Sequence, residues 1–254
     1  MRKPVVGISL KIYMNKLEQT LGFINEIKML SRDEQDVDLL VFPSMGTLRE
    51  VGKILEDTSI KYGAQNIAFL SNGALTGEFS IESLIDMNGS IVELGHAERR
   101  KYFHETDEMI NQKMKLAFEN NLVPVLCIGE REEEKERVEE HLKYQIRMAL
   151  KDISKTKLKE LIIAYEPVWA IGKAQAASPE YVHSIHTVIR SILTAEYGSE
   201  VAESVRLIYG GSVSQNNTEE IIRNIDVDGV FVGRFGHDPK QFGNIIEQVR
   251  TVKR

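Results

Sequence analysis

Short apolar, β-branched runs recur along the chain at intervals of roughly 25 to 40 residues, and between them apolar positions repeat every three or four residues. The runs predict eight strands, at Val5–Ser9, Val37–Phe42, Lys61–Gln65, Ile91–Leu94, Val123–Ile128, Leu161–Tyr165, Arg206–Tyr209 and Gly229–Val232. Most are apolar at nearly every position, as in strands covered on both faces. Leu17, Leu21, Ile24, Ile27 and Leu30 fall on one face of a first helix. Further helices are predicted over Glu108–Glu119, Glu132–Ile153 and Glu180–Tyr197, and from Pro239 towards Val249, with Pro239 suited to an early helical position.

Eight β-then-α units close into a (β/α)8 TIM barrel or spread into a doubly wound open sheet. No G-x-G-x-x-G follows the first strand, as a dinucleotide fold would often show. Polar residues gather where strands end: Ser9 and Lys11, His96 and Glu98, Glu130, Glu166, and Gly210-Gly211-Ser212. In a barrel those ends converge on one face. The expected fold class is therefore α/β, a single (β/α)8 barrel domain over residues 1–254. The 254 residues match the usual barrel length of about 250.

Composition narrows the function classes. The apolar fraction is 42% and the charged fraction 28%, both ordinary for a globular chain. The net charge of -6 is spread without a basic cluster, so no nucleic-acid partner is expected. No apolar run approaches the ~20 residues of a membrane span. The Met1-Arg2-Lys3-Pro4 lead has no signal-like apolar region, and the expected location is cytoplasmic. Cys127 is the only cysteine, so a disulfide framework is excluded. His183 and His186 sit three apart without a matching third ligand, and no metal or other cofactor is expected.

The segment Ala164-Tyr165-Glu166-Pro167-Val168-Trp169-Ala170-Ile171-Gly172 carries the most chemistry. A strand delivers Glu166 to its end, and Pro167 then stops the ladder. Trp169, Ala170 and Ile171 follow as apolar residues able to cover a ligand. By composition alone, a carboxylate in a surface loop beside a packing tryptophan fits equally well. The acidic run from Glu130 to Arg137 suits a solvated helix start, with Glu130 also placed to support the loop beside Trp169.

A-Y-E-P-V-W-A-I-G resembles the catalytic glutamate and lid of the triosephosphate isomerase family. V-E-L-G-H-A-E-R-R, P-V-L-C-I-G-E, I-Y-G-G-S-V and G-A-L-T-G-E-F-S resemble further blocks of that family, across nearly the whole chain. The resemblance implies a TIM barrel isomerase of glycolysis and gluconeogenesis acting on a small phosphorylated sugar. It implies Glu166 as base, His96 as neutral acid, Lys11 as positive charge and Glu98 as its partner. It places Gly172, Ser212 and Gly233 at the phosphate, through backbone N–H groups. Gly73–Ser80 resembles a loop that enters a second subunit near Lys11, with Thr76 reaching the partner's site, so a homodimer is implied.

Four positions depart from the family pattern. Ser9 stands where asparagine is usual, and its shorter side chain is expected to reach substrate only through water. Arg234 interrupts a glycine pair after the eighth strand, where it either clamps phosphate or points outward. The lid ends Lys173-Ala174-Gln175-Ala176-Ala177, without the usual threonine-glycine-lysine, and Ala97 replaces a serine. These changes leave two further readings beside plain triosephosphate interconversion, namely an isomerase of a related ketose phosphate such as erythrulose phosphate, and a barrel that binds sugar phosphates without catalysis.

Overall fold

The computed structural model describes residues 2–30 and 36–253; Met1 of the N-terminal lead lies outside them. Eight parallel strands close on themselves in sequence order, with β1 (Val5–Ser9) paired to β2 (Asp38–Phe42) on one side and to β8 (Gly229–Val232) on the other. β3 (Lys61–Ala64), β4 (Ile91–Leu94), β5 (Val123–Ile128), β6 (Ile162–Tyr165) and β7 (Arg206–Tyr209) complete the ring. Helices follow the strands on the outside, among them Leu17–Leu30, Asp107–Glu119, Val138–Ala149, Pro179–Tyr197 and Pro239–Lys253. The open-sheet alternative is thereby removed. Among the described residues no helix is long and apolar enough to cross a membrane.

Two packed layers explain the all-apolar strands. Val6, Ile8, Val41, Val92, Leu126, Ile163 and Leu207 face outward and meet the helices. Val5, Leu40, Phe42, Ile91, Val125, Cys127, Ile162, Ala164, Ile208 and Phe231 face inward and fill the barrel. Successive residues point to opposite faces, so both faces of each strand lose water and both must be apolar. Gly7 is needed at one close approach, because a Cβ there would stand 2.6 Å from the Phe231 ring. At the N-terminal end of the barrel Asp38 is held by Lys3 at 2.7 Å, Arg206 at 2.6 Å and Lys61 at 3.4 Å.

The element boundaries differ from the sequence expectation for local reasons. β3 stops at Ala64 because the Gln65 amide turns to the carbonyls of Lys11 and Phe42, at 2.9 and 3.0 Å. The helix expected over Glu132–Ile153 splits: residues Glu132–Arg137 form a 3-10 turn and the α-helix runs from Val138 to Ala149. Charge pairs within that acidic run, such as Arg131 with Glu134 at 2.7 Å, hold the tighter turn. The helix expected from Glu180 starts one residue earlier at Pro179, with the Ser178 hydroxyl accepting from the Tyr181 N–H at 3.3 Å.

Candidate active site

The C-terminal strand ends converge on a cavity of about 140 Å³, small beside the roughly 300–1,000 Å³ of drug-sized ligand pockets. Ser9, Lys11, His96, Glu98, Glu166, Gly172, Ser212, Gly233 and Arg234 all line it. The chain thus brings these nine residues, expected to act in chemistry or substrate binding, together at one mouth.

Lys11 follows β1 with φ +47°, a conformation uncommon for a residue with a Cβ. The Gln65 hydrogen bond to its carbonyl fixes this turn. Its ammonium donates to Glu98 Oε1 at 2.5 Å. Burial works against that charge, but the bond to Glu98 and the charges of Glu98, Glu166 and Glu93 outweigh it and raise the lysine above its ordinary pKa.

His96 caps the helix Ala97–Tyr102, and its Nδ1 accepts from the Glu98 N–H at 3.1 Å. A backbone N–H can only donate, so Nδ1 carries no proton and the neutral ring is protonated at Nε2. Burial first, and the Lys11 charge second, push this histidine down to about 3. The ring is therefore neutral at physiological pH. Its Nε2 faces Glu166 Oε2 at 3.4 Å, a contact between a carboxyl and an uncharged ring.

Glu166 is only 5% exposed, and its Oε2 has no hydrogen-bond partner among the described residues. Its N–H extends the β6 ladder to the Ile128 carbonyl at 2.8 Å. Gly210 gives its carboxyl room, since a Cβ there would lie 2.8 Å from Oε1. Burial, followed by the charge of Glu93, raises Glu166 well above the usual carboxylate range, against the opposing pull of Lys11. Such a carboxylate is a strong base once ionised.

Beyond Glu166 the chain forms a short 3-10 turn, Val168–Ala170, and the Ile171 and Gly172 that follow line the cavity. The buried Glu130 carboxylate anchors the turn by accepting from Trp169 Nε1 at 2.7 Å, Tyr165 OH at 2.9 Å and Tyr181 OH at 3.0 Å. Glu130 is thus a fully buried anchor for the loop after Glu166, and the solvated part of the acidic run begins after it. Gly172 has φ +69°, a left-handed turn that glycine adopts freely. The Ser212 hydroxyl donates to the lid carbonyls of Ala170 and Lys173 at 2.8 and 2.9 Å. Arg234 is exposed on the rim, with one guanidinium nitrogen 3.5 Å from the Gly172 carbonyl.

The sequence reading missed Glu93, Gln65 and Tyr209. Tyr209 accepts from the Ala177 N–H at 3.0 Å and so ties down the far end of the lid. Glu93 had a usable signal, an acid two positions after Ile91 in an otherwise apolar strand.

A closed barrel with a buried carboxyl, a neutral histidine and an ion-paired lysine at its C-terminal mouth defines the class: an acid–base enzyme of the (β/α)8 type. A sequence model described as triosephosphate isomerase matches residues 4–249. The probable triosephosphate isomerase 2 of Listeria monocytogenes is 45% identical over 255 residues, covering all of both chains. The triosephosphate isomerase of Dictyoglomus turgidum is 41% identical over 248 residues, 97% of this chain and 99% of the relative. The chain belongs to the triosephosphate isomerase family.

Proposed function

We propose that this chain, working as one barrel domain over residues 1–254, interconverts glyceraldehyde 3-phosphate and dihydroxyacetone phosphate. The observation that carries the reading is the unpartnered Glu166 Oε2 facing the Nε2–H of a neutral His96. Glu166 removes the proton on the carbon next to the carbonyl, and the electron pair moves onto the carbonyl oxygen. His96 Nε2–H and the Lys11 ammonium meet the charge that develops there. Glu166 then returns the proton to the neighbouring carbon while the imidazole passes a proton between the two oxygens. A neutral histidine at a helix start beside a glutamate base suits this proton transfer, since the uncharged ring donates to the developing oxyanion.

In this reading Glu98 holds Lys11 in place. The backbone N–H groups of Gly172, Ser212 and Gly233 take the phosphate, and Arg234 closes over it from the rim. Ser9 lies at the reacting end. The relatives' names favour the triose over erythrulose phosphate, and the placed base and acid favour an enzyme over a plain binder. A panel of triose and tetrulose phosphates with the purified chain tests this: fast triose interconversion is expected, and a preference for a four-carbon substrate would overturn it.

A homodimer is part of the proposal. Ile12 and Tyr13, next to Lys11, are 80% and 60% exposed, and Tyr102 and Phe103, ending the helix that His96 starts, are 63% and 64% exposed. Apolar surface of this kind beside a site suits a second copy, with the loop around Thr76 reaching it. Sedimentation showing a fully active monomer would refute this part. Cytoplasmic residence fits the proposed substrate class, because phosphorylated sugars do not cross membranes unaided.

A further inference from the structure

Glu93 has no counterpart in the chemistry above. It lies in β4 two residues after Ile91, which packs inside the barrel with Val5, Phe42, Cys127 and Ala164. The two-residue period puts the Glu93 side chain on the same inner face, one step nearer the cavity. It is 3% exposed, and its Oε2 has no hydrogen-bond partner among the described residues. Burying an unpartnered carboxyl is unfavourable, and an apolar side chain would fill this place without that cost. Glu93 does not line the cavity, so it acts on substrate only through its neighbours.

Those neighbours are the site itself. Ser9 and Lys11 approach Glu93 from the end of β1. Cys127 faces it from β5, Glu166 from the end of β6, and Glu98 from the first turn of the helix Ala97–Tyr102. From β3, Gln65 is committed to the carbonyls of Lys11 and Phe42.

We propose that Glu93 is a positioning residue for the reaction: a second buried carboxyl on the inner face of the barrel, beneath the strand ends that present Lys11, His96 and Glu166, acting on the reaction through those neighbours. This deepens the reading of Glu166 as the base and rests on it. Burial raises Glu93 itself to about 7, against the pull of Lys11 and Ser9, so its charge is present from neutral pH upward. A negative neighbour strengthens the hold of Glu166 on the proton taken from the substrate carbon. Interacting carboxyls titrate as a pair, in steps that belong to both.

Three variants separate this role from mere packing. Glu93→Gln is neutral and isosteric, Glu93→Leu is neutral and apolar, and Glu93→Asp keeps the acid. The infrared carboxyl band of Glu166, assigned by its loss in Glu166→Gln, is titrated in the substrate-free protein. The pH dependence of kcat/KM for glyceraldehyde 3-phosphate is measured alongside. Both neutral variants should move the Glu166 titration and the acid limb to lower pH by about one unit, with kcat falling more than KM changes. Glu93→Asp should keep the wild-type limb. If one neutral variant fails to fold, the other decides. An unmoved Glu166 titration in a folded neutral variant overturns the proposal. Absence of triosephosphate turnover in the wild type would count against the functional reading alone, because the infrared titration needs no substrate.

Discussion

Glu166 Oε2 lies 3.4 Å from His96 Nε2, and the histidine's other nitrogen is occupied by the Glu98 N–H at 3.1 Å. One backbone hydrogen bond thus decides which nitrogen carries the proton, and that proton points at the base and the cavity. Imidazole and carboxyl are presented to the same small space by different strands, β4 and β6.

Shortening the base tests how much depends on this placement. Glu166→Asp withdraws the carboxylate by one methylene from a position that Gly210 leaves open for it. Misplacing a catalytic group by about 1 Å costs on the order of 100-fold in rate. Steady-state kinetics should show kcat reduced by about that factor with KM within a few fold. Turnover near the wild-type value would show that another group removes the proton.

His96→Gln keeps a hydrogen-bonding side chain but loses the imidazole. Turnover should fall on the order of 100-fold or more, the usual weight of a positioned acid or base. A second consequence concerns pH. The histidine is held neutral down to about 3, so nitrogen NMR of the labelled ring should show no protonation between pH 7 and 5. A midpoint near the ordinary histidine value would contradict the helix-start hydrogen bond.

Arg234 is exposed and touches the lid at Gly172. Arg234→Ala should raise KM for the phosphorylated substrate by about tenfold, the lower end for a hydrogen bond to a charged group, and leave kcat within a few fold. The effect should shrink at high salt, because exposed charges are screened. An unchanged KM would leave Arg234 as a rim residue facing solvent.

Asp38 concerns stability rather than activity. The desolvation of its carboxylate is outweighed by hydrogen bonds from Lys3 and Arg206 and by the Lys61 charge, which lower it from 3.8 to about 2. A depressed acid stabilises the fold above its unfolded pKa, and the gain is lost as pH falls through the folded value. Asp38→Asn should therefore lower Tm by a few degrees at pH 7, and the gap from wild type should close between about pH 4 and pH 2. A gap independent of pH would assign the effect to packing.

Much of this protein was legible in the chain itself. The eight apolar runs, the helical spacing between them and the polar residues at strand ends specify a barrel, because burial on both faces demands apolar strands and catalysis demands polar ends. The motif around Glu166 and the one around His96 marked the proposed base and acid by local pattern. Tertiary structure alone decided what joins residues distant in sequence. Glu130 anchors a lid 39 residues away through Trp169; Gln65 fixes the Lys11 turn from 54 residues away. Glu93 acquires its meaning only when ring closure sets β1 and β6 around the same interior as β4. A carboxyl's partners, its burial and hence its proton affinity are properties of the space it shares, and that space exists only after the eighth strand has met the first.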